Sequence, residues 1–474
     1  MIEQIDTVSH NQLLTTDIQK LAPELEVYQS IFADYFCRRE QREKCHTYLH
    51  GLLQPLPNKS IETMMLHNGG DNPNSIRAMQ HFISRGAWDD ATVLTRHAVE
   101  VDKDLGDDDG VLIVDGSDFP KQGQESVGVK RQHCGQLGKV TNCQAGVFLG
   151  YASRHGYTLL NRRLYMPREW LEDETYAKRR QQCGVPEELT FQTKQQLAQE
   201  MVIETVTAGN LRYRWLTCDE AFGRDTRFLD GVVERVWYLA EVPENTAVWL
   251  ERPQTAVPAW CGHGRKPIRI RLVQGEPEAQ SVVNIAAQLP AEQWQRHVIK
   301  EGAKGPITAD FSALRVVNSR RNLPGQDVWL ICRREVITEE LKFYLSNAPP
   351  ETSLTKFVQI SGMRWPIETC FEEGKQELGL GDYQVRSWVG WHHHMTLCIL
   401  AHFFLVRIQR RLQDKAPKLT LPQAILLLKS ILPQPKFDLE TTVEIVNYYQ
   451  RRHEAAYQSH RKRRLERLEN EVSL

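Results

Sequence analysis

The chain has 474 residues, 41% of them hydrophobic and 25% charged, with a mean hydropathy of −0.47. At ~150 residues per domain this length suggests about three domains, and the composition excludes a disordered tail protein. The 59 basic and 60 acidic residues nearly cancel, so the net charge of −1 points neither toward nor away from a nucleic-acid partner.

Local charge is less even. Residues 1–100 carry 9 Lys/Arg against 13 Asp/Glu, whereas residues 451–474 carry 7 against 4. The longest apolar run, Met395–Val406, contains His402 and falls well short of the ~20 residues of a membrane span. The opening decapeptide is acidic and lacks a basic-then-apolar signal design, so a cytoplasmic protein with no membrane partner is expected. Ten cysteines occur without a Cys-x-x-Cys pair, which leaves no zinc-ligand spacing and reads as reduced thiols. The triplet His392-His393-His394 would splay around a helix, so convergence on one metal is disfavoured.

Residues 1–105 read as a helical N-terminal region, with apolar residues at helical spacing over Leu21–Phe36 and Ile76–Val99. The stretch from Asn68 to Asn74 is a loop by composition, and an acidic loop from Asp102 to Gly110 follows. The period then changes. Val111-Leu-Ile-Val is a short β-branched run ending at Asp115, and Cys143–Tyr151 and Tyr157–Tyr165 are two further strand-like runs. Between them, 120–142 reads as a loop in which Lys121, Lys130, Arg131 and Lys139 alternate with glycines. Glycines let backbone N–H groups approach phosphate while the cations neutralise it; the plain alternative is a solvated surface loop.

Residues 190–209 look helical, and Tyr213–Cys218 repeats the earlier design as an apolar strand stopping at Asp219. Arg224–Arg235 is amphipathic, and Val236–Val242 is another strand. The stretch 243–350 reads as a β-rich insertion, in which Arg269 and Arg271 share one face of a strand over Ile268–Leu272. Helices return at Pro366, well placed at a first helical position with Gly379 as a stop, and again over 391–412, 421–432 and 438–470. The last of these turns basic at 461–464.

Three carboxylates stand out. Asp115 and Asp219 each end an apolar strand, and functional groups of α/β sheets gather at such ends. Glu368 lies in the first turn of a helix. Such a set suits Mg²⁺, which prefers carboxylate oxygen, and two ions ~4 Å apart can serve phosphodiester cleavage. Taken singly, each has a plainer role: a strand-ending Asp caps a turn, and a first-turn Glu complements the helix dipole. Lys375, seven positions after Glu368, lies within ~20° of its direction on the helix. Arg364, just before Pro366, projects from the helix entrance. These two cations suit a phosphate-bearing substrate or, more plainly, pair with Glu368 or Glu372. Ile367 is expected to pack inward beside Trp365 and seat the helix on the sheet.

Arg364-x₃-Glu368-x₆-Lys375 behind two strand-ending aspartates resembles the signature of DDE transposases of the insertion-sequence 4 group, most nearly the insertion-sequence 701 branch. Four segments match in order: Gln80-His-Phe-Ile-Ser with Trp88-Asp89; Asp115-x₃-Phe-Pro-Lys121 with Ser126 through Gln144; Leu345-Ser-Asn347; and Arg364-Trp-x-Ile-Glu368 through Tyr383 to Trp388. They span roughly 60–410. The resemblance implies an α/β fold with an RNase-H-like catalytic core, a mixed sheet flanked by helices. A β-rich insertion and helical N- and C-terminal regions complete it: 1–105 binding DNA, 106–242 and 351–412 forming the core, 243–350 inserted, 413–474 closing the chain.

It also implies Asp115, Asp219 and Glu368 as catalytic residues holding two Mg²⁺ ions, with Mn²⁺ as a substitute. Arg364, Lys375, Lys121, Lys130, Arg131, Lys139, Arg269 and Arg271 become candidate DNA contacts. The implied activity is cut-and-paste transposition: binding terminal inverted repeats, cleaving, and joining to target DNA as a homodimer, nucleoid-associated when bound. The rivals are an RNase-H-like nuclease that cuts without joining and a domesticated DNA-binding protein. One departure stands out: the group's tyrosine three residues before the arginine is here Ser361.

Overall fold

The computed structural model describes residues 12–69, 73–260, 262–263, 265–302, 305–432 and 438–472. The opening decapeptide and part of the Asn68–Asn74 loop lie outside them. The chain forms two compact units, Ala91–Glu372 and the pairing of Met1–Asp90 with Glu373–Leu474.

The first of these units is built on one sheet. Its strands in chain order are β1 (Val111–Pro120), β2 (Lys130–Cys134), β3 (Lys139–Ser153), β4 (Gly156–Tyr165), β5 (Trp215–Cys218), β6 (Trp237–Val242), β7 (Ala247–Trp249), β8 (Thr255–Ala256), β9 (Arg271–Leu272), β10 (Gln280–Ser281), β11 (Gln295–Gly302), β12 (Gly305–Arg320), β13 (Leu323–Glu335) and β14 (Leu341–Ser346). Twelve of them hydrogen-bond in the order β10-β7-β12-β13-β14-β6-β5-β1-β3-β2, with β4 against β3 and β11 against β12; β8 and β9 form a separate pair.

β1, β5 and β6 run parallel, and β3 and β4 extend the sheet antiparallel from β1. This is the mixed sheet expected of an RNase-H-like α/β core. Val111–Val114 and Trp215–Cys218 are buried throughout, as strands covered on both faces must be. The crossover from β4 to β5 runs through helix Lys194–Ala208, opened by a reciprocal Thr193/Gln196 capping box.

The strands of 243–350 continue the same sheet, because β14 pairs antiparallel with β6. The β12–β13 hairpin turns on Arg321 and Asn322, both at positive φ (54° and 62°), the backbone of a two-residue turn matched to strand twist.

Two sequence expectations change here. The loop expected over 120–142 is largely a hairpin, with Lys130 and Arg131 on β2 and Lys139 opening β3. The strand expected over Ile268–Leu272 shrinks to Arg271–Leu272, Arg269 lying in a bend, so the two arginines do not share a strand face.

The helical unit centres on helix Trp388–Leu412, capped by Ser387 and buried along most of its length. His393 lies stacked on Trp88 with ring centroids 3.6 Å apart and bonds the carbonyls of Ile83 and Trp88. His394 bonds the Tyr48 hydroxyl at 2.8 Å. The histidine triplet is thus satisfied core. Among the described residues no helix is long and apolar enough to cross a membrane.

Candidate active site

The register of the three parallel strands puts the carboxylates in line. Val114 pairs with Cys218, and Cys218 with Ala240; the next residue along each strand is Asp115, Asp219 and Glu241. Only β5 ends there: β1 runs on beside β3 to Pro120, so Asp115 lies within its strand and does not end it as the sequence suggested, and β6 continues through Glu241 to Val242. Asp115 faces Phe148 across the β1–β3 ladder and accepts a hydrogen bond from the Gly116 amide at 2.6 Å. Asp219 caps helix Glu220–Gly223, accepting from the Phe222 amide at 3.2 Å. The plain capping role of Asp219 is therefore filled as well. Gly223 allows that helix to lie close on β6, since a Cβ there would come within 1.9 Å of the Glu241 carbonyl oxygen.

Glu368 reaches this row from helix Pro366–Glu377. Ile367 is fully buried and seats the helix: a Cβ on Gly150 of β3 would lie 3.2 Å from its Cδ1. Phe371, one turn on, packs edge-to-face on Phe148 at 5.2 Å. Trp365 does not pack inward beside Ile367. It is 54% exposed, with the Lys300 ammonium 5.9 Å from its ring centroid.

Arg364 also departs from expectation. Its side chain does not project from the helix entrance but turns inward, 18% exposed, among three carboxylates. Nη2 lies 2.6 Å from Glu368 Oε1, Nη1 3.7 Å from Asp115 Oδ2, and Nε 3.7 Å from Glu241 Oε2. The plain reading of Arg364 as an ion-pair partner of Glu368 is thus met in this structure. Burial followed by the Asp219 charge pushes the Asp115 carboxyl up to about 7, and burial raises Asp219. Burial opposes the charge on Arg364, but Glu368, Asp115 and Glu241 together hold its pKa above the ordinary value.

No group of three or more His, Cys, Asp or Glu side chains among the described residues is gathered closely enough to hold a metal ion. The chemistry of the donors nonetheless fits a hard divalent cation. Every candidate ligand is a carboxylate oxygen, and the single guanidinium of Arg364 offsets only part of the charge of the carboxylates around it.

The other predicted residues are dispersed. Lys375 stands in the last turn of the Glu368 helix. Lys130 is ion-paired with Glu169. Arg131 and Lys139 are exposed on the β2–β3 hairpin, and Lys121 precedes it, its amide bonded to the Asn142 carbonyl at 2.9 Å. Arg269 and Arg271 are exposed. Ser361 turns its hydroxyl back to the Val358 carbonyl at 2.7 Å and is buried in helix Leu354–Gly362, so nothing at that position takes the place of the group's tyrosine. Sequence reasoning missed Glu241. Its one signal was a carboxylate interrupting an otherwise apolar strand.

A sheet of this order, with acidic residues side by side along its adjacent parallel strands, is the frame of an RNase-H-like nuclease. Residues 31–306 match the family described as DDE superfamily endonuclease, and the chain belongs to it. The matched span includes Asp115, Asp219 and Glu241 and ends before Arg364 and Glu368. A probable transposase for insertion sequence element IS701 from Microchaete diplosiphon is 22% identical over 367 residues, covering 76% of this chain and 80% of that protein.

Proposed function

We propose that the protein is a DNA transposase that binds transposon terminal inverted repeats and carries out metal-dependent strand cleavage and strand transfer. The observation that carries this reading is the line of Asp115 and Asp219 on adjacent parallel strands, joined through Arg364 to Glu368 on a separately seated helix. It is supported by membership of the DDE endonucleases and by similarity to a transposase. Asp115, Asp219 and Glu368 would hold two Mg²⁺ ions, with Mn²⁺ as a substitute. Bound there, the ions supply Lewis acidity to the attacking and leaving oxygens of an in-line displacement.

The protein's own groups do the rest. Arg364 and Lys375 neutralise phosphate near the scissile bond, and Lys121, Lys130, Arg131, Lys139, Arg269 and Arg271 contact the backbone further out. In the first step water attacks phosphorus and the bond to the 3′ oxygen breaks, leaving a 3′-OH and a 5′-phosphate. The freed hydroxyl then attacks a target phosphodiester and expels another 3′-OH. One phosphodiester replaces another, so no nucleotide hydrolysis is required. Two ends must be held together, which calls for a homodimer on DNA; the region 1–105 is assigned to end binding, and the protein works in the cytoplasm on the nucleoid.

The test uses the DNA flanking the coding sequence, read for short inverted repeats and offered as duplex ends with a plasmid target and Mg²⁺. Cut ends joined to plasmid are expected. Cutting without joining would leave the nuclease reading, and binding without cutting the DNA-binding one.

A further inference from the structure

Glu241 has no part in the triad, yet it stands in register with Asp115 and Asp219 across the adjacent strands and its side chain is 14% exposed. A carboxylate buried to that degree in an apolar strand is costly unless cations meet it. Two do: Lys342 Nζ lies 3.3 Å from Oε1, and Arg364 Nε lies 3.7 Å from Oε2. The backbone beneath is held as well, because Gly223 packs directly against the Glu241 carbonyl.

We propose that Glu241 is a positioning residue that fixes the Arg364 guanidinium in the active site through its Nε edge. The guanidinium is a rigid planar fork, so an ion pair on its Nε edge biases where the two Nη groups point. In the structure they point at Asp115 and Glu368. Those two carboxylates are the ones a divalent cation would claim, and a carboxylate neutralised by a cation attracts a guanidinium far less. Glu241 is the partner that stays. It keeps Arg364 facing the reacting phosphate when the other two let go, whereas an arginine without it swings out to solvent. Beyond the contact with Arg364 that Asp115 and Glu368 also make, Glu241 has a second ion pair, with Lys342, which argues against its being a further metal ligand.

This inference rests on reading Arg364 as a phosphate contact, so its test includes a measurement that needs no DNA. Glu241→Ala, Glu241→Gln, Arg364→Ala and the double variant Glu241→Ala/Arg364→Ala would be compared, each checked for an unchanged melting temperature. In end-binding assays, Glu241→Ala should flatten the dependence of affinity on salt by about one unit of slope, as loss of one phosphate contact does. Arg364→Ala should do the same and the double variant no more, while Glu241→Gln, which keeps an acceptor oxygen, should stay closer to wild type. Mn²⁺ binding to the free protein, read by electron paramagnetic resonance, should be within twofold of wild type in Glu241→Ala. Additive losses in the double variant, or a drop in Mn²⁺ affinity like that of Glu368→Ala, would overturn the proposal.

If the wild-type protein neither binds nor cuts such ends, the transposase reading falls, and the arginine Nε–H resonance missing from Arg364→Ala decides this one. A slowly exchanging signal lost in Glu241→Ala supports the tether, and one that is unchanged refutes it.

Discussion

Each unit buries a cation, Lys59 in the helical one and Arg364 in the sheet one, and the two are met in opposite ways. In the helical unit Lys59 is buried, its ammonium donating to the carbonyls of Leu52 and Glu377, the last residues of helices Arg39–Leu52 and Pro366–Glu377. Burial pulls its pKa down to about 8, yet each shown partner is a fixed backbone dipole, and His393 is likewise held by two carbonyls. In the sheet unit Asp115, Glu241 and Glu368 surround one arginine with Asp219 beside Asp115, so like charges oppose one another and a carboxyl is held up near neutrality. Backbone dipoles satisfy a buried charge permanently and make structure. Side-chain charges that can be exchanged for a cation or a phosphate make a site.

The largest test of that contrast is removal of the carboxylates. Asp115→Asn, Asp219→Asn and Glu368→Gln should each lose cleavage by orders of magnitude while end binding persists, because phosphate contacts supply most of the affinity. Glu372→Gln and Glu373→Gln should stay within roughly tenfold, ~1.4 kcal/mol of barrier. A dead Glu372→Gln beside an active Glu368→Gln would move the site one turn along the helix.

The next effect is on stability, and its sign separates the two regions. Asp115 keeps its proton to about pH 7 when folded and to only ~4 when unfolded. The folded state therefore binds more protons across that interval, and stability is lost as pH rises through it. At ~1.4 kcal/mol per pH unit the penalty above pH 7 amounts to ~4 kcal/mol. Asp115→Asn should accordingly melt higher than wild type at pH 8 and lose that advantage toward pH 4. Lys59→Met should do the reverse of a site substitution: a fall of ~2 kcal/mol in stability as two helix-terminal carbonyls lose their donor, with cleavage per folded molecule unchanged. A stable but inactive Lys59→Met would break the contrast.

The aspartates were legible because a carboxylate interrupting an apolar β-branched run stands out twice over; Asp219 does end its strand, whereas β1 continues past Asp115 to Pro120 because β3 offers it a ladder partner from Phe148 to Cys143. Glu368 and the seat of its helix were legible from Pro366 and Ile367. What escaped depends on partners distant in sequence. Nothing local says that β6 registers beside β5, so Glu241 looked like one polar residue in a strand. Nor does anything local say that Arg364, flanking an exposed Trp365, turns inward; that follows from three carboxylates brought from β1, β6 and the next helical turn. The hairpin within 120–142 was hidden by its glycines, which suit a loop and a tight turn equally.

The smallest expected effects lie on that hairpin, where one ion pair sets neighbouring cations apart. Lys130 is paired with Glu169, whose carboxyl it holds below the usual range. Arg131 and Lys139 are exposed, and their side chains have no ion-pair partner among the described residues. A cation already neutralised by a neighbour releases fewer counterions from DNA, because the phosphate must compete with the carboxylate for it. Arg131→Ala and Lys139→Ala should each reduce the salt slope of end binding by ~0.9, the value for one lost contact, and Lys130→Ala by clearly less. Glu169→Gln frees Lys130 and should steepen the slope; in that background Lys130→Ala should cost as much as its neighbours. Equal slopes for all three single variants would show that the Lys130–Glu169 pair opens on binding, and unchanged slopes would place the hairpin away from the DNA altogether.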